Sequence, residues 1–290
     1  MTALLVDGHS LAHRAWHVGG ELHDAKQRPT GMAYFFLTML RSALVQSKAT
    51  ECWVAWDHGT WRCEVYPEYK AKRRATADGS LTTDGAFMLQ RLWLLDVLPQ
   101  LNVGVVAACG YEGDDVLALL SSLTRWDDVW IHSGDRDFWQ LVSARVRCVM
   151  PPVKARKTNV VTLENFAAVT SCETPNTWLA FRVLSGDASD NITGLPKVGP
   201  VRAKKLLAEH GTLAAVRVAS PVDAQAIIDR NVLLMDLTAA AARLRREWKH
   251  VKRVRPPAWA PDPARAAIRD RSMARIVGYW DDWVAPFQPR

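Results

Sequence analysis

The sequence predicts an α/β fold built around a mainly parallel sheet, followed by a smaller helical region. From residue 1 to about 150, short apolar runs alternate with helical patterns, which is typical of strands and helices taking turns in a parallel sheet. The chain has 290 residues, of which 49% are hydrophobic, enough for one large domain or two modest ones with a real core. After about residue 163 the patterns are helical.

The predicted elements follow one another in a regular order. Strands are predicted at Ala3–Val6, Cys52–Trp56, Val103–Ala107, Val129–Ile131, Val146–Met150 and Thr158–Thr162. Helices are predicted at Ser10–Trp16, Gly31–Gln46, Phe87–Leu98, Asp114–Leu123, Leu163–Val169, Pro175–Leu184, Pro200–Glu209, Ala224–Ile228 and Val232–Trp248. We expect an α/β domain over residues 1–162, a helical domain over 163–255, and a C-terminal segment over 256–290 with a helix from about Ala264 to Val277.

A charged segment from about residue 61 to 87 interrupts this alternation. Its Asp78-Gly79-Ser80 end lacks an apolar face, which indicates an insertion over the ends of the strands. A run of charge is usually a solvated surface, but this one follows the strand that ends at Asp57, which favours cations near the crevice. Trp61, at the root of the insertion, is a candidate for stacking on a base. The charged residues are Arg62, Glu64, Glu68, Lys70, Lys72, Arg73 and Arg74.

Carboxylates recur where the apolar runs end. Asp7 and Asp57 each close a predicted strand, and Asp135 and Asp137 follow the strand at Val129–Ile131. Because parallel strands open their carboxyl ends onto one crevice, we expect acids from distant parts of the sequence to meet there. Two further acidic groups belong to this set, one with Glu112, Asp114 and Asp115 and the other with Asp187 and Asp190.

Such a cluster predicts a divalent metal site. Crowded carboxylates repel one another unless they are protonated or neutralised by a cation, and their hard oxygens suit Mg²⁺ or Mn²⁺. Helix capping alone would explain Asp114 and Asp115, but not acids at three separate strand ends. His9, His13 and His17 share a helical spacing, yet no acid or cysteine completes a zinc site beside them. The leading interpretation is a metal-dependent phosphodiesterase.

A second informative stretch has two glycines, Gly194 and Gly199, on either side of a Leu-Pro turn. Pro200 suits the first position of a helix that also carries Lys204 and Lys205. This pattern predicts a helix-hairpin-helix, in which glycine allows close approach and the helix amino end offers free N–H groups to a phosphate. Such contacts bind the nucleic-acid backbone rather than read base sequence. An ordinary helix-turn-helix corner is the alternative.

Composition narrows the partner and the compartment. The formal charge of +7 and the pI near 9.3 suit a polyanionic substrate, since the proposed site itself is acidic. The five cysteines form no closely spaced pair and are odd in number, so we expect no disulfide framework and a reducing cytoplasm. We expect no membrane segment, because no apolar stretch is long enough to span a bilayer. Nucleotide-cofactor loops and a nucleophile elbow are absent from the sequence.

Taken together and in order, these residues resemble the 5′ nuclease family. That family comprises the exonuclease domain of bacterial DNA polymerase I, stand-alone bacteriophage 5′-to-3′ exonucleases and flap endonucleases. The resemblance covers about residues 3 to 210 and is carried by Leu5–Arg14, Tyr66–Arg73, Gly110–Asp115, Ser133–Asp137 and Ser185–Gly199. It implies a PIN-like or resolvase-like α/β sheet flanked by helices, a helical arch at about 61–87 and a C-terminal helix-hairpin-helix (SAM-like) domain with its hairpin at 194–211.

The resemblance also implies residue roles. Two or more Mg²⁺ or Mn²⁺ ions would lie among Asp7, Asp57, Glu112, Asp114, Asp115, Asp135, Asp137, Asp187 and Asp190. Lys70 and Arg73 match the catalytic basic pair that contacts the scissile phosphate. The matched DNA-binding residues are Tyr69, Arg182, Gly194, Lys197, Gly199, Lys204 and Lys205, with a K⁺ ion expected among the carbonyls of the hairpin.

The function expected from this resemblance is structure-specific 5′ nuclease activity. The substrate would be DNA with 5′ flaps or 5′ ends at junctions of single and double strand, cut during replication or repair by a monomer that works beside separate replication proteins. Two alternatives stay open. One is a PIN-like metal-dependent ribonuclease; the other is a non-catalytic protein that binds branched DNA, which would be expected to have lost acids that this chain retains.

Overall fold

The computed structural model describes residues 1–19, 22–72, 81–151 and 159–289, with only the backbone of residues 81–84. The strands of the main sheet are β1 (Thr2–Asp7), β2 (Glu51–Trp56), β3 (Gly104–Ala108), β4 (Asp128–His132), β5 (Val146–Val149), β6 (Val160–Val161) and β9 (Val251–Val254). Their order in space is β6-β5-β4-β1-β2-β3-β9, and the five strands from β5 to β3 run parallel. β6 and β9 pair antiparallel at the two edges. The predicted mainly parallel sheet is confirmed.

Helices cover both faces of this sheet and form the second region. They are α1 (Gly8–Gly19), α2 (Gly31–Ser47), α3 (Arg62–Val65), α4 (Leu81–Gln100), α5 (Gly113–Ser121), α6 (Phe166–Thr170), α7 (Pro175–Ser185), α8 (Pro200–His210), α9 (Leu213–Ala219), α10 (Val222–Met235), α11 (Leu237–Arg246), α12 (Asp262–Asp270), α13 (Ala274–Gly278) and α14 (Trp280–Val284). Between α7 and α8, β7 (Gly186–Asp187) and β8 (Ile192–Thr193) form a two-stranded ladder. Within the described ranges, no helix is long and apolar enough to cross a bilayer.

The hydrophobic core has a layer on each face of the sheet. Successive residues of a strand point to opposite faces, so Leu4 and Val6 of β1 pack with α1, α2 and α4, whereas Ala3 and Leu5 pack with α5 and α11. A third cluster lies among α7, α8 and α10. These layers hold the carboxyl ends of β4, β1 and β2 side by side at one rim of the sheet.

Two of the differences between the prediction and the second half of the chain concern β9 and the helix predicted at Val232–Trp248. β9, which was not predicted, returns to the sheet beside β3, and its exposed residues give no continuous apolar run from which a strand could be read. The helix predicted at Val232–Trp248 is divided at Asp236, whose Oδ1 accepts hydrogen bonds from the backbone N–H groups of Thr238 (2.8 Å) and Ala239 (3.0 Å). Asp236 therefore caps α11 and ends α10.

The C-terminal segment packs against the α1, α2 and α4 face. Trp280, Trp283 and Phe287 join that core layer, with ring centroids 5.9 Å and 5.0 Å apart along the series. Arg41 of α2 donates from Nε to the carbonyl of Trp283 at 2.9 Å. The single helix predicted from about Ala264 to Val277 is instead two, because the chain turns between α12 and α13.

Candidate active site

Five carboxylates from separate parts of the chain line one pocket. Asp7 is the last residue of β1, Asp57 follows β2 directly, and Asp135 lies three positions beyond the end of β4. Since these three strands are neighbours, their ends bring the acids to the same rim. The pocket has a volume of about 820 Å³ and is lined by Asp7, His9, Ser10, His13, Asp57, Lys70, Glu112, Asp114, Gly134 and Asp135.

Hydrogen bonds fix the carboxylates that come from the strand ends. Asp7 accepts from the backbone N–H of Ser10 (2.9 Å) through Oδ1 and from the hydroxyl of Ser133 (2.7 Å) through Oδ2. Asp57 Oδ1 accepts from the backbone N–H of Gly113 at 2.7 Å, which ties the end of β2 to the start of α5. Backbone donors therefore set the positions of both side chains.

The crowding of negative charge is visible in the acid–base behaviour of the pocket. Burial raises the pKa of Asp7 to about 6, and the charges of Asp57 and Asp135 push in the same direction. Burial also raises the pKa of Asp114 well above its usual value, and Asp7 and Asp135 add to the effect. These carboxylates thus lack sufficient positive charge nearby, which is the electrostatic condition that a bound cation would relieve.

Glu112 is held in a different environment, among cations. Lys70 donates from Nζ to Glu112 Oε1 at 2.6 Å, and Arg62 donates from Nη1 to Oε2 at 2.9 Å. Burial alone would raise the pKa of Glu112, but Lys70 and Arg62 together hold it below its usual value. Lys70 is the catalytic candidate that the structure brings into the pocket, and its left-handed backbone (φ 54°) is uncommon for a residue with a side chain. Arg73, its predicted partner, lies outside the described residues.

Asp115 faces the interior beside the pocket and is fully buried. Arg62 grips it with Nη2 to Oδ1 at 2.7 Å and Nη1 to Oδ2 at 3.0 Å. Oδ2 also accepts from the indole N–H of Trp61 (3.3 Å) and from the backbone N–H of Glu112 (3.2 Å). Because both of its oxygens are occupied in this way, Asp115 makes structural contacts and does not line the pocket.

Two aromatic residues expected to meet nucleic acid are buried instead. Trp61 is 4% exposed, with the guanidinium groups of Arg62 and Arg243 against its ring at 4.8 Å and 4.6 Å, so the prediction that it stacks on a base is wrong. Tyr69 is 3% exposed, and its hydroxyl lies 2.9 Å from Glu112 Oε2. In this structure the Tyr69 hydroxyl holds Glu112, and the DNA contact at Tyr69 stays a prediction.

A second acidic group lies around Arg182. The guanidinium is within 2.8 Å of Asp137 Oδ1 and also binds Asp187 Oδ2. Burial raises the pKa of Asp137 to about 7, and the charge of Asp135 adds to this more than Arg182 offsets it. Asp190 connects this group to the pocket, because its Oδ2 lies 3.3 Å from the Tyr69 hydroxyl and 3.8 Å from Lys70 Nζ. Arg182, expected to bind DNA, is thus engaged by two of the predicted metal ligands.

The predicted hairpin lies between α7 and α8. A side chain at Gly194 would place its Cβ 2.4 Å from the backbone of Ser185, so only glycine permits this approach. Lys197 has a left-handed backbone (φ 62°), and Gly199 precedes α8, which begins at Pro200. Two further cations are exposed on α8, where Lys204 Nζ lies 5.7 Å from the Phe181 ring and Lys205 is 3.6 Å from Glu209.

Residues 2–170 match the family described as 5′-3′ exonuclease, N-terminal resolvase-like domain. The chain belongs to this family. It is 34% identical over 226 residues to DNA polymerase I of Mycobacterium bovis, covering 74% of this chain and 24% of that protein. It is 32% identical over 276 residues to DNA polymerase I of Chloroflexus aurantiacus, covering 93% of this chain and 28% of that protein. The chain thus spans about a quarter of the length of these relatives.

The fold of this 5′-3′ exonuclease family member is shared with solved structures. A bacteriophage T5 flap endonuclease in complex with DNA and metal ions superposes with a TM-score of 0.70 at 18% identity, over 98% of this chain and 100% of that chain. Human GEN1 in complex with Holliday junction DNA gives a TM-score of 0.59 at 12% identity, over 93% of this chain and 68% of that chain.

Arg62, a buried counter-charge beside this family member's site, could not be singled out from the sequence. Arg62 is only 2% exposed, and besides its two carboxylates it donates from Nε to the carbonyl of Leu234 at 2.7 Å. In the sequence it was one of several charges in a run that looked solvated. Its contacts are far away along the chain, so no local pattern could have separated it from its exposed neighbours.

Proposed function

We propose that this chain is a Mg²⁺-dependent 5′ nuclease that hydrolyses DNA phosphodiesters near junctions of single and double strand. The observation that carries the proposal is the pocket in which the ends of β1, β2 and β4 and the start of α5 present five carboxylates together with Lys70. Family membership supports the same reaction class. Whether exonuclease or flap-endonuclease cutting dominates is a matter of substrate geometry, and we propose that both use this pocket.

The donor set fits divalent ions with a preference for oxygen. Asp7, Asp114 and Asp135 would hold one ion with Glu112, and the chemistry of four carboxylates suits Mg²⁺ or Mn²⁺. In the part of the chain that the structure describes, no three His, Cys, Asp or Glu side chains are already arranged to hold an ion. Lys70 occupies Oε1 of Glu112, while Arg62 and Tyr69 occupy Oε2, so we propose that the Lys70 ammonium group moves and leaves Oε1 to the ion when it binds.

A second ion would belong to the group around Arg182. We propose that Asp137, Asp187 and Asp190 take part there, because burial leaves Asp137 with a raised pKa despite its ion pair. Asp57 would act through its negative charge, which raises the pKa of the neighbouring Asp7. We assign Asp115 to positioning, since Arg62 occupies both of its oxygens.

Bound ions would activate water for attack on phosphorus and offset the charge that develops on the phosphate. The chain's own residues would orient the substrate. Lys70, which is 22% exposed beside Glu112, can turn its ammonium group toward a phosphate in the pocket and offset negative charge there. Gly199, Lys204 and Lys205 would bind the duplex backbone without reading its sequence, and a K⁺ ion among the hairpin carbonyls stays part of this proposal.

A single gel assay tests this function. A labelled 5′-flap DNA should be cut near its junction when Mg²⁺ or Mn²⁺ is present and left intact with EDTA or with Ca²⁺ alone. Single-stranded RNA in parallel lanes tests the ribonuclease alternative, and a gel-shift of the flap with Ca²⁺ tests binding without cleavage. Cleavage of RNA but not of flap DNA, or binding with no cutting under any ion, would overturn the proposal.

The buried acids determine how metal binding should change with pH. Because the pKa values of Asp7 (about 6) and Asp137 (about 7) are raised, these groups bind protons more tightly in the folded protein than in the unfolded chain. The metal-free protein therefore loses stability as pH rises through this range, while the ionised ligands that Mg²⁺ needs become available. We expect the rise in Tm caused by Mg²⁺ to be larger at about pH 8 than at about pH 6. Calorimetry of the same sample with EDTA supplies the control, and an equal rise at both pH values would contradict this site.

A further inference from the structure

A basic surface lies at the edge of the sheet, outside the pocket and the hairpin. It consists of Arg246, Lys249, Lys252, Arg253 and Arg255, which we call the basic edge. All five side chains are exposed, and none of them takes part in an ion pair within the described ranges. The nearest acid along the chain, Glu247, is already engaged by the Tyr111 hydroxyl (2.7 Å) and by Arg243 (3.7 Å). The positive charge of this surface is therefore left for an external anion.

The register of β9 fixes where the basic edge lies relative to the pocket. Ala108, at the carboxyl end of β3, pairs with Val251, and the backbone N–H of Cys109 donates to the carbonyl of His250 at 3.1 Å. The basic edge thus starts at the rim that carries the carboxylates. Because β9 is antiparallel to β3, its later residues continue down the side of the sheet.

The pocket lies between the hairpin and the basic edge. The strand order runs β4-β1-β2-β3-β9, and α7, which leads into the hairpin, is joined to the turn after β4 by the bond from Trp178 Nε1 to the carbonyl of Arg136 (3.0 Å). The basic edge is on the other side, three strand spacings from β1, or about 14 Å. Cations therefore flank the acidic pocket on two sides.

We infer that the basic edge binds the 5′ single strand after that strand has crossed the pocket. This inference rests on the proposed function, in which duplex is held at the hairpin and one strand continues past the carboxylates. A group of exposed cations that make no ion pair in the described part of the chain complements the phosphates of such a strand. Arg253 is held in place by Trp248, whose ring lies 4.7 Å from its guanidinium carbon.

The need to keep the edge strand from pairing with another sheet explains only part of the basic edge. Lysine on an edge strand discourages pairing with another sheet, which accounts for Lys252. Arg246 and Lys249 precede β9, and Arg255 follows it, so they guard no strand. Binding of a nucleic-acid strand accounts for the cations before and after β9 as well as for Lys252.

Strand length provides a sharp test. If the single strand keeps the duplex spacing of about 3.4 Å per nucleotide, the distance from β1 to β9 corresponds to at most about four nucleotides, and the length of β9 to about four more. A one-nucleotide flap would not reach the basic edge, whereas a flap of about ten nucleotides would cover it. The variant Lys249→Gln, Lys252→Gln, Arg255→Gln removes three charges and keeps Arg253 on Trp248.

The matched control removes three exposed cations elsewhere. Lys48→Gln, Arg269→Gln, Arg275→Gln changes the net charge equally, at residues after α2 and in the C-terminal helices. Binding of fluorescent flaps is measured by anisotropy in EDTA, so the result does not depend on cleavage. We expect the basic-edge variant to raise Kd for the long flap about tenfold and to reduce its salt slope by about 2, at about 0.7 per lost phosphate contact.

The one-nucleotide flap and the control variant should change little. Equal weakening of both flaps, or unchanged binding of the long flap, overturns the inference, and in the second case an acidic protein becomes the partner that fits this surface. Failure of the unmodified protein to cut any flap with Mg²⁺ would instead overturn the proposed function. The anisotropy measurement does not depend on cleavage, so failure of the inference and failure of the proposed function can be told apart.

Discussion

Asp135→Asn should lower kcat on a 5′-flap substrate by about a thousandfold while leaving DNA affinity nearly unchanged. Asp135 faces the pocket from beyond the end of β4, and its charge adds to the raised pKa of both Asp7 and Asp114. Asparagine keeps the shape of the side chain but removes the negative charge that a divalent ion would need. A thousandfold loss corresponds to about 4 kcal/mol of transition-state stabilisation, a reasonable share for one ligand of a catalytic ion.

Asp128→Asn is the matched control for this experiment. Asp128 begins the same strand, at the end away from the pocket, and pairs with Arg147 at 2.8 Å. Single-turnover cleavage with Mg²⁺ gives the rate, and anisotropy with Ca²⁺ gives the affinity. If Asp135→Asn retains a rate within tenfold of the unmodified protein, the pocket is not where catalysis occurs.

The strands and the acidic rim could be predicted from the sequence because both are local signals. β1 and β2 are almost continuously buried, β4 has the apolar core Val129–Ile131, and the acids that follow these strands can be read directly from the chain. Parallel topology then brings Asp7, Asp57 and Asp135 together whatever the details of packing.

The remaining features depend on packing between distant residues. β9 is an exposed edge strand with charged residues, so it lacks the apolar run that marked the inner strands. Trp61 and Tyr69 stand next to a charge run and looked accessible, but each turns inward to a buried carboxylate. The surface on which a charged segment packs decides which of its side chains point into the protein. The local pattern carries no such information.

The contacts of Arg62 explain why this inward turn is stable. A guanidinium group presents a planar fork of five N–H donors, which suits it to bridging two carboxylates. Here it joins Glu112 and Asp115 at the start of α5 to the carbonyl of Leu234 near the end of α10. The acidic rim and the helical region are therefore connected through one buried side chain.

Replacing the buried Arg62 with methionine should destabilise the protein more than replacing any exposed cation. The substitution leaves Asp115 fully buried and Glu112 nearly so without their shared cation. Breaking a buried pair by removing one partner costs about 3–5 kcal/mol, because the remaining charge is neither solvated nor paired. At about 2–4 °C per kcal/mol for a chain of this size, Tm should fall by about 10 °C. Differential scanning calorimetry in EDTA measures the effect without any contribution from metal ions.

Arg217→Met provides the comparison with an exposed pair. Arg217 binds Asp229 through two bonds of 2.6 Å, a similar geometry, but both side chains are open to solvent, so little change in Tm is expected. Adding Asp115→Asn to Arg62→Met should recover part of the lost stability, since it removes one uncompensated charge. Arg62→Lys should fall between the parent and the methionine variant, because one ammonium group cannot reach both carboxylates and the Leu234 carbonyl. A methionine variant with the Tm of Arg217→Met would mean that the buried network contributes nothing to holding Glu112 at the rim.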